Sequence, residues 1–127
     1  RSPLDIPRPN NAEEWAIQRS PSRPYQEAFY KVHTTDVESV VEHYQDMILE
    51  YGGDPCKRLP PNGNFPDYDP EQPGLIPYKW ECIFERSNVP GVFQRTQVTI
   101  QPGVRDADPT LDTEGYTVIR YEQHWQN

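Results

Sequence analysis

The sequence predicts an α+β fold: an antiparallel sheet of four to five strands with one amphipathic helix packed on one face, in the order β(β)αβββ. One segment, residues 36–51, carries apolar residues at helical spacing. Three segments of high strand propensity end the chain, and the short turns between them favour antiparallel neighbours. A chain of 127 residues has the length of one domain with a single modest core.

The predicted helix over residues 36–51 has clear start and stop signals. Thr35 and Glu38 have the spacing of a capping box, and Gly52 follows the last helical residue. His43 lies opposite the apolar stripe, so we expect it to be a solvated surface residue. The stripe that we expect to face the sheet consists of Val37, Val40, Val41, Tyr44 and Ile48.

Strands are predicted on both sides of the helix. Residues 12–20, whose weak alternation places Trp15 and Ile17 on the same side, form an optional first strand at the edge, and residues 27–34 form a stronger one. The strands after the helix occupy residues 78–86, 92–101 and 115–126. Alternation assigns the following side chains to the face that the helix covers: Trp80, Phe84, Val98, Ile100, Ile119 and Tyr121.

The predicted domain organisation is simple. Residues 1–11 form an extended, proline-containing lead-in, and residues 12–127 form a single α+β domain. Inside that domain, residues 52–77 are rich in proline and show no periodicity, which predicts a long loop. Structureless connections of this length are uncommon in compact domains, and they are usually functional, held in place or mobile.

The two cysteines predict a single disulfide between Cys56 and Cys82. Two cysteines are too few for a structural zinc site, and an even count with no spare thiol fits one bridge in an oxidising compartment. The alternative is two buried free thiols in a cytosolic protein. We favour the disulfide because Cys56 lies in the proline-rich segment, where a free thiol has little core to join.

Charge and hydropathy exclude several classes of partner. The chain has 12 basic and 20 acidic residues, for a net charge of −8, which argues against binding to nucleic acid or to an anionic membrane surface. No apolar run approaches the roughly 20 residues of a membrane-spanning helix. The chain begins at Arg1 without an initiator methionine, which is consistent with a separate or removed N-terminal segment through which the protein attaches to a membrane.

Two sequence marks stand out in the first part of the chain. The first is a proline-containing lead-in that ends in alanine, here Pro7, Pro9 and Ala12. The second is a Thr-x-Asp segment followed by a helix, here Thr34, Asp36, Val40, Val41, Tyr44, Ile48 and Gly52. Over residues 5–53 the chain therefore resembles a small α+β domain found in many bacterial exported proteins and lipoproteins, although Gly53 stands where that family often carries a tryptophan. The resemblance implies an extracytoplasmic location, and it implies no catalytic activity.

Acidic residues at alternate positions raise the question of calcium. Hard cations take several oxygen ligands from a curled loop, but neither acidic stretch has the glycine and the glutamate that an EF-hand loop requires. We therefore expect no metal and no other cofactor. The weak calcium candidates are Asp67, Asp69, Asp106, Asp108 and Asp112.

Four aromatic residues are the remaining candidates for a binding site: Phe65, Tyr68, Tyr78 and Trp125. Stacked on one surface, these rings would bind sugar or a proline-rich peptide, whereas rings packed inward would simply form core. The chain carries no recognisable catalytic set, so we expect that it is not an enzyme.

These observations predict a non-enzymatic extracytoplasmic domain that binds protein. We expect it to be periplasmic or at the cell surface, secreted or lipid-anchored, and to act as an accessory subunit of a larger membrane-attached assembly. The alternative function is a carbohydrate- or small-ligand-binding module that uses the loop aromatics.

Overall fold

A computed structural model describes residues 3–60, 78–89 and 92–126. In chain order its elements are β1 (Ala12–Arg19), β2 (Tyr25–Val32), α1 (Val37–Tyr51), β3 (Gly53–Leu59), β4 (Lys79–Val89), β5 (Val92–Pro102) and β6 (Thr117–Trp125). Within the described residues, the six strands form one open sheet in the order β1-β2-β6-β5-β4-β3, and every neighbouring pair is antiparallel. The last strand, β6, lies between β2 and β5 and so joins the two halves of the sheet.

The α+β class and the antiparallel sheet are confirmed, but the predicted count of four to five strands and the order β(β)αβββ are wrong. The extra strand is β3, which lies in the stretch expected to begin the long loop. Its side chains are mostly exposed, and its register with β4 shifts between Asp54 and Lys57, around Pro55. β3 is an edge strand with an interrupted register, and its pairing with β4 holds it in place. Because few of its side chains are buried, its sequence shows no hydrophobic alternation that would predict a strand.

The predicted helix is confirmed, and its buried residues are the predicted stripe: Val37, Val40, Val41, Tyr44 and Ile48. It ends as expected at Gly52, whose amide donates to the Ile48 carbonyl at 2.8 Å and whose φ is 81°. The capping box at Thr35 is wrong. The N-cap is Asp36, one position later, and its carboxylate accepts a hydrogen bond from the amide of Ser39 at 3.2 Å. Aspartate is a better N-cap residue than threonine.

The helix covers only one half of the inner face of the sheet, because it packs against β3, β4 and β5. Five of the six residues assigned to this face are fully buried: Phe84, Val98, Ile100, Ile119 and Tyr121. The sixth, Trp80, is half-buried and packs against the margin of the core. The other half of the inner face, over β2 and β6, needs a second cover.

The second cover is the N-terminal segment over residues 3–9, which we call the strap. Its Leu4 and Ile6 are buried, with 3% and 0% of their surface exposed. Side chains of the sheet satisfy its backbone: Thr96 donates to the Leu4 carbonyl at 2.6 Å, and Gln123 donates to the same oxygen at 3.0 Å. The lead-in is therefore extended, as expected, but it is also part of the core.

Two tyrosines connect the helix, the sheet and the strap. The Tyr121 hydroxyl lies 2.7 Å from the Ile6 carbonyl, which can only accept, so Tyr121 donates to it. The Tyr44 hydroxyl then donates to the Tyr121 oxygen at 2.8 Å. Both tyrosines are fully buried, and burial raises the pKa of both hydroxyls above the ordinary tyrosine value. They therefore stay protonated and able to donate at physiological pH.

His43 also contacts the strap, so its expected role as a solvated surface residue is wrong. Its Nε2 lies 2.8 Å from the Pro7 carbonyl, and because that oxygen only accepts, Nε2 carries the proton. Arg8 lies beyond this contact, with its guanidinium 5.1 Å from the centroid of the Tyr30 ring. These contacts extend the strap across β2 before the chain turns into β1.

The predicted disulfide between Cys56 and Cys82 is confirmed, and it joins β3 to β4 with 4.2 Å between the α-carbons. Cys82 is fully buried in the core, whereas Cys56 is half-buried at the edge of the sheet. The bridge therefore fastens an edge strand with few buried side chains to the central part of the sheet.

Replacing Tyr121 by Phe should lower the free energy of unfolding by about 1–3 kcal/mol, because the Ile6 carbonyl loses its donor and Tyr44 loses its acceptor. Equilibrium denaturation in urea measures this change. Tyr116→Phe, at a partly exposed tyrosine on the opposite side of the sheet, is the matched control and should change stability by less than about 0.5 kcal/mol. Equal effects of the two substitutions would contradict the described hydrogen-bond chain.

Reducing the disulfide should lower the free energy of unfolding by about 3–4 kcal/mol, the chain-entropy value for a bridge across 26 residues. The comparison is between oxidised and reduced wild-type protein in the same denaturant series, which keeps both sulfur atoms in place. Peptide mapping without reductant verifies the bridge. Two free thiols in the protein as isolated would contradict the predicted pairing and the oxidising compartment.

Candidate interaction surface

A bulge in β1 places two neighbouring residues on the outer face of the sheet, the face opposite α1. Glu14 pairs with Tyr30 and Ala16 pairs with Phe29, so Trp15 is the extra residue. The Trp15 ring contacts Phe29 edge-on at 6.1 Å between ring centroids. Ile17, by contrast, pairs with Ala28 on the inner side. The alternation that would place Trp15 and Ile17 on the same side is therefore interrupted, as a bulge does when it redirects a side chain.

These residues line an open apolar groove of about 250 Å³, which we call the outer-face groove. Its lining consists of Trp15, Ala16, Phe29 and Leu111. Three of these residues come from β1 and β2, and Leu111 comes from the connection between β5 and β6. Leu111 is 52% exposed, so a large apolar side chain faces solvent at the side of the groove.

A structured turn holds Leu111 in this position. The Asp108 carboxylate accepts the amide of Thr110 at 2.9 Å and its hydroxyl at 2.7 Å. The amide of Leu111 itself donates to the Asp108 carbonyl at 2.9 Å. At the base of the connection, Thr113 is buried and exchanges hydrogen bonds with the backbone of Val104. Leu111 is therefore exposed on an ordered support.

The acidic residues of this connection build its turns. Asp106 accepts the amide of Asp108 at 2.8 Å, and Asp112 accepts the amide of Glu114 at 2.9 Å. Hydrogen bonds from the hydroxyl and the amide of Thr110 lower the pKa of Asp108, because they favour the charged carboxylate. In the described part of the chain, no group of three potential ligands is placed to hold a metal ion. The other two calcium candidates, Asp67 and Asp69, lie outside the described residues.

A paired charge cluster lies beside the groove on the same face. Arg120 donates to Glu27, and its Nη2 lies 3.5 Å from the carboxylate of Glu122. Its guanidinium also lies over the Phe29 ring, 5.8 Å from the centroid. Because two carboxylates surround one guanidinium, this cluster carries a net negative charge.

The structure describes two of the four predicted aromatic residues, Tyr78 and Trp125. Phe65 and Tyr68 lie outside the described residues. Tyr78 immediately precedes β4, and the guanidinium of Arg58 covers its ring at 4.3 Å from the centroid. Trp125 pairs with Gln94 at the other end of the sheet. Tyr78 and Trp125 are therefore not brought together.

The residue pattern does not reveal Trp15, Phe29 and Leu111 as members of a site. Alternation predicts Trp15 on the same side of the strand as Ile17, and the bulge that redirects it leaves no mark in the sequence. The signal that was present is Leu111 itself, which is a single large apolar residue inside an acidic turn. Such a residue has no core to join unless the turn folds back on the sheet, where it meets Trp15 and Phe29.

The three histidines take part in aromatic contacts in the described chain. Each imidazole packs on a tyrosine ring at 4.8–4.9 Å between centroids: His33 on Tyr116, His43 on Tyr44 and His124 on Tyr25. Burial and the nearby Arg95 and Arg23 lower the pKa of His124. The three rings thus act as parts of separate aromatic contacts.

A comparison of the chain with protein-family models, curated proteins and solved structures finds no match in any of the three. Among the described residues, no helix is long and apolar enough to cross a membrane.

Adding Ca²⁺ should leave the melting temperature unchanged, because the carboxylates of Asp106, Asp108 and Asp112 already accept backbone amides. A thermal melt with and without the cation measures this. A stabilisation of several degrees at micromolar Ca²⁺ that disappears in Asp106→Asn would contradict the structural role of these carboxylates. The same loss in Asp67→Asn would instead assign the ion to the residues near Asp67.

Proposed function

We propose that this chain is a non-enzymatic protein-binding domain, an accessory subunit of a larger membrane-attached assembly outside the cytoplasm. The outer-face groove is the proposed contact surface. The observation that carries the proposal is the half-exposed Leu111, held by an ordered turn beside the rings of Trp15 and Phe29. An exposed apolar side chain on a rigid support loses little conformational entropy when a partner covers it.

The shape and chemistry of the groove favour a protein partner. Apolar patches with polar margins are typical of protein interfaces, and aromatic residues are enriched at their centres. The margin here is acidic, from the Arg120 cluster on one side and the turn around Asp108 on the other. A net charge of −8 disfavours nucleic acid as the partner.

The disulfide supports the proposed location. Cys56 and Cys82 form a bridge, and such bridges persist in oxidising compartments. Within that class we propose the periplasm or the cell surface, with the protein secreted or lipid-anchored. The resemblance of residues 5–53 to a domain of exported bacterial proteins supports the same location.

The carbohydrate-binding alternative has less support. Sugar rings stack on aromatic side chains that share one accessible surface, whereas Tyr78 and Trp125 lie at opposite ends of the sheet. Tyr78 is also covered by Arg58. The groove aromatics Trp15 and Phe29 meet edge-on, at an interplanar angle of 77°, and so provide no flat platform.

Site-specific photo-crosslinking tests the proposed surface. A photoreactive amino acid replaces Leu111 in the full chain, and the protein is irradiated in its native membranes. Leu49 provides a matched control, because it is an apolar residue on α1 that is 96% exposed. We expect one protein to be captured from position 111 and not from position 49. Equal capture at both positions, or capture at 49 alone, would contradict the proposed surface.

A further inference from the structure

We propose that the partner binds as an extended segment that adds a strand to the free edge of β1 and places an aliphatic side chain in the outer-face groove. This inference rests on the proposed protein-binding function and names the kind of partner. The segment carries basic residues two positions before and two positions after the aliphatic one, on the same strand face. The basis is the combination of an open strand edge, a pocket beside it and an acidic margin.

The strand edge is available in the described structure. β1 is the outermost strand, and no strand in the described ranges pairs with its free side. Residues 16–19 are exposed, and even Ile17 retains 37% of its surface. An edge strand presents backbone amides and carbonyls without ladder partners, which is the template for strand addition.

The bulge brings the pocket to this edge. Because Trp15 and Ala16 both lie on the outer face, a large ring and a small side chain stand next to each other at the sheet margin. An added strand places its cross-strand side chain within about 5 Å of Ala16, between β-carbons. An aliphatic side chain there enters the space between Trp15 and Leu111. Strand addition gains affinity from the backbone and specificity from such pockets.

The charges define the segment further. Glu13 is exposed on the outer side of β1, and Asp106, Asp108 and Asp112 belong to the connection that carries Leu111. These carboxylates repel an acidic segment and attract a basic one. Because residues two apart in a strand share a face, a segment that presents an aliphatic residue to the groove presents lysine or arginine to these carboxylates from the positions two residues before and after it.

The other edge of the sheet is less suited to the same role. β3 contains Pro55, which has no amide to donate, and its register is interrupted between Asp54 and Lys57. The two edges therefore provide an internal comparison for the experiment.

The test uses a defined probe and the full chain. The probe is the acetylated, amidated heptapeptide Thr-Lys-Thr-Leu-Thr-Lys-Thr, whose two lysines share a strand face with the leucine and whose symmetry suits either strand direction. It is titrated to roughly 1 mM into isotope-labelled protein, a range that reveals weak affinities. We expect amide shifts in residues 12–19 and at Leu111. A peptide with alternate backbone amides methylated should bind at least about tenfold more weakly, because its donors are lost.

Matched variants separate the contribution of the groove from the contribution of the peptide's charge. Leu111→Ser should weaken the binding of the probe, whereas Leu49→Ser should leave it unchanged. A peptide with glutamate in place of lysine should not bind. Absence of binding by the basic probe, equal binding of the methylated peptide, or shifts at β3 in place of β1 would each overturn the strand-addition proposal.

The outcome is distinguishable from a failure of the proposed function. Protein capture from position 111, together with any of these contrary peptide results, leaves the groove as a protein-binding surface and removes strand addition. Absence of capture from position 111 removes the proposed surface itself. Capture from position 111 together with the expected peptide results supports both the protein-binding surface and strand addition.

Discussion

The buried carbonyls of the strap impose the constraint on which the rest of the structure depends. The strap has no secondary structure, so its backbone must find donors elsewhere when Leu4 and Ile6 enter the core. Thr96, Gln123 and Tyr121 supply them from the sheet. These three side chains, on an otherwise apolar face, therefore allow the irregular strap to pack as part of the core.

That arrangement connects the core to the candidate surface. The helix and the strap together cover the inner face of the sheet, whereas Leu111 of the connection between β5 and β6 reaches the outer face. The strap leads directly into β1, and its bonds to β5 and β6 hold the start of that edge strand. The bulge at Trp15 then directs two side chains outward. The hydrogen bonds of the strap on the inner face thus help to hold the edge strand that carries Trp15 on the outer face.

Sequence reasoning succeeded where one segment contained its own signal. The helical stripe could be predicted because burial against a sheet requires apolar residues at a 3.6-residue period, and the disulfide because only one pairing of two cysteines exists. Features that depend on distant partners could not be predicted. β3 is held by its pairing with β4, and the strap is held by hydrogen-bond donors about 90 to 120 residues away along the chain. The outer-face groove depends on the bulge in β1 and on the turn that carries Leu111. Alternation assumes a regular ladder, so the bulge also misdirected the assignment of Trp15 and Ile17.

Hydrogen–deuterium exchange of the full chain, alone and in complex with the protein captured from position 111, tests the central claim most directly. The strand-addition account predicts that amides of residues 12–19 and the turn around Leu111 exchange more slowly in the complex, while amides of α1 are unchanged. Protection on the exposed side of α1 or along β3, with β1 exchanging as in the free chain, would contradict it. The measurement reports backbone protection directly, and backbone pairing at the β1 edge is what the account requires.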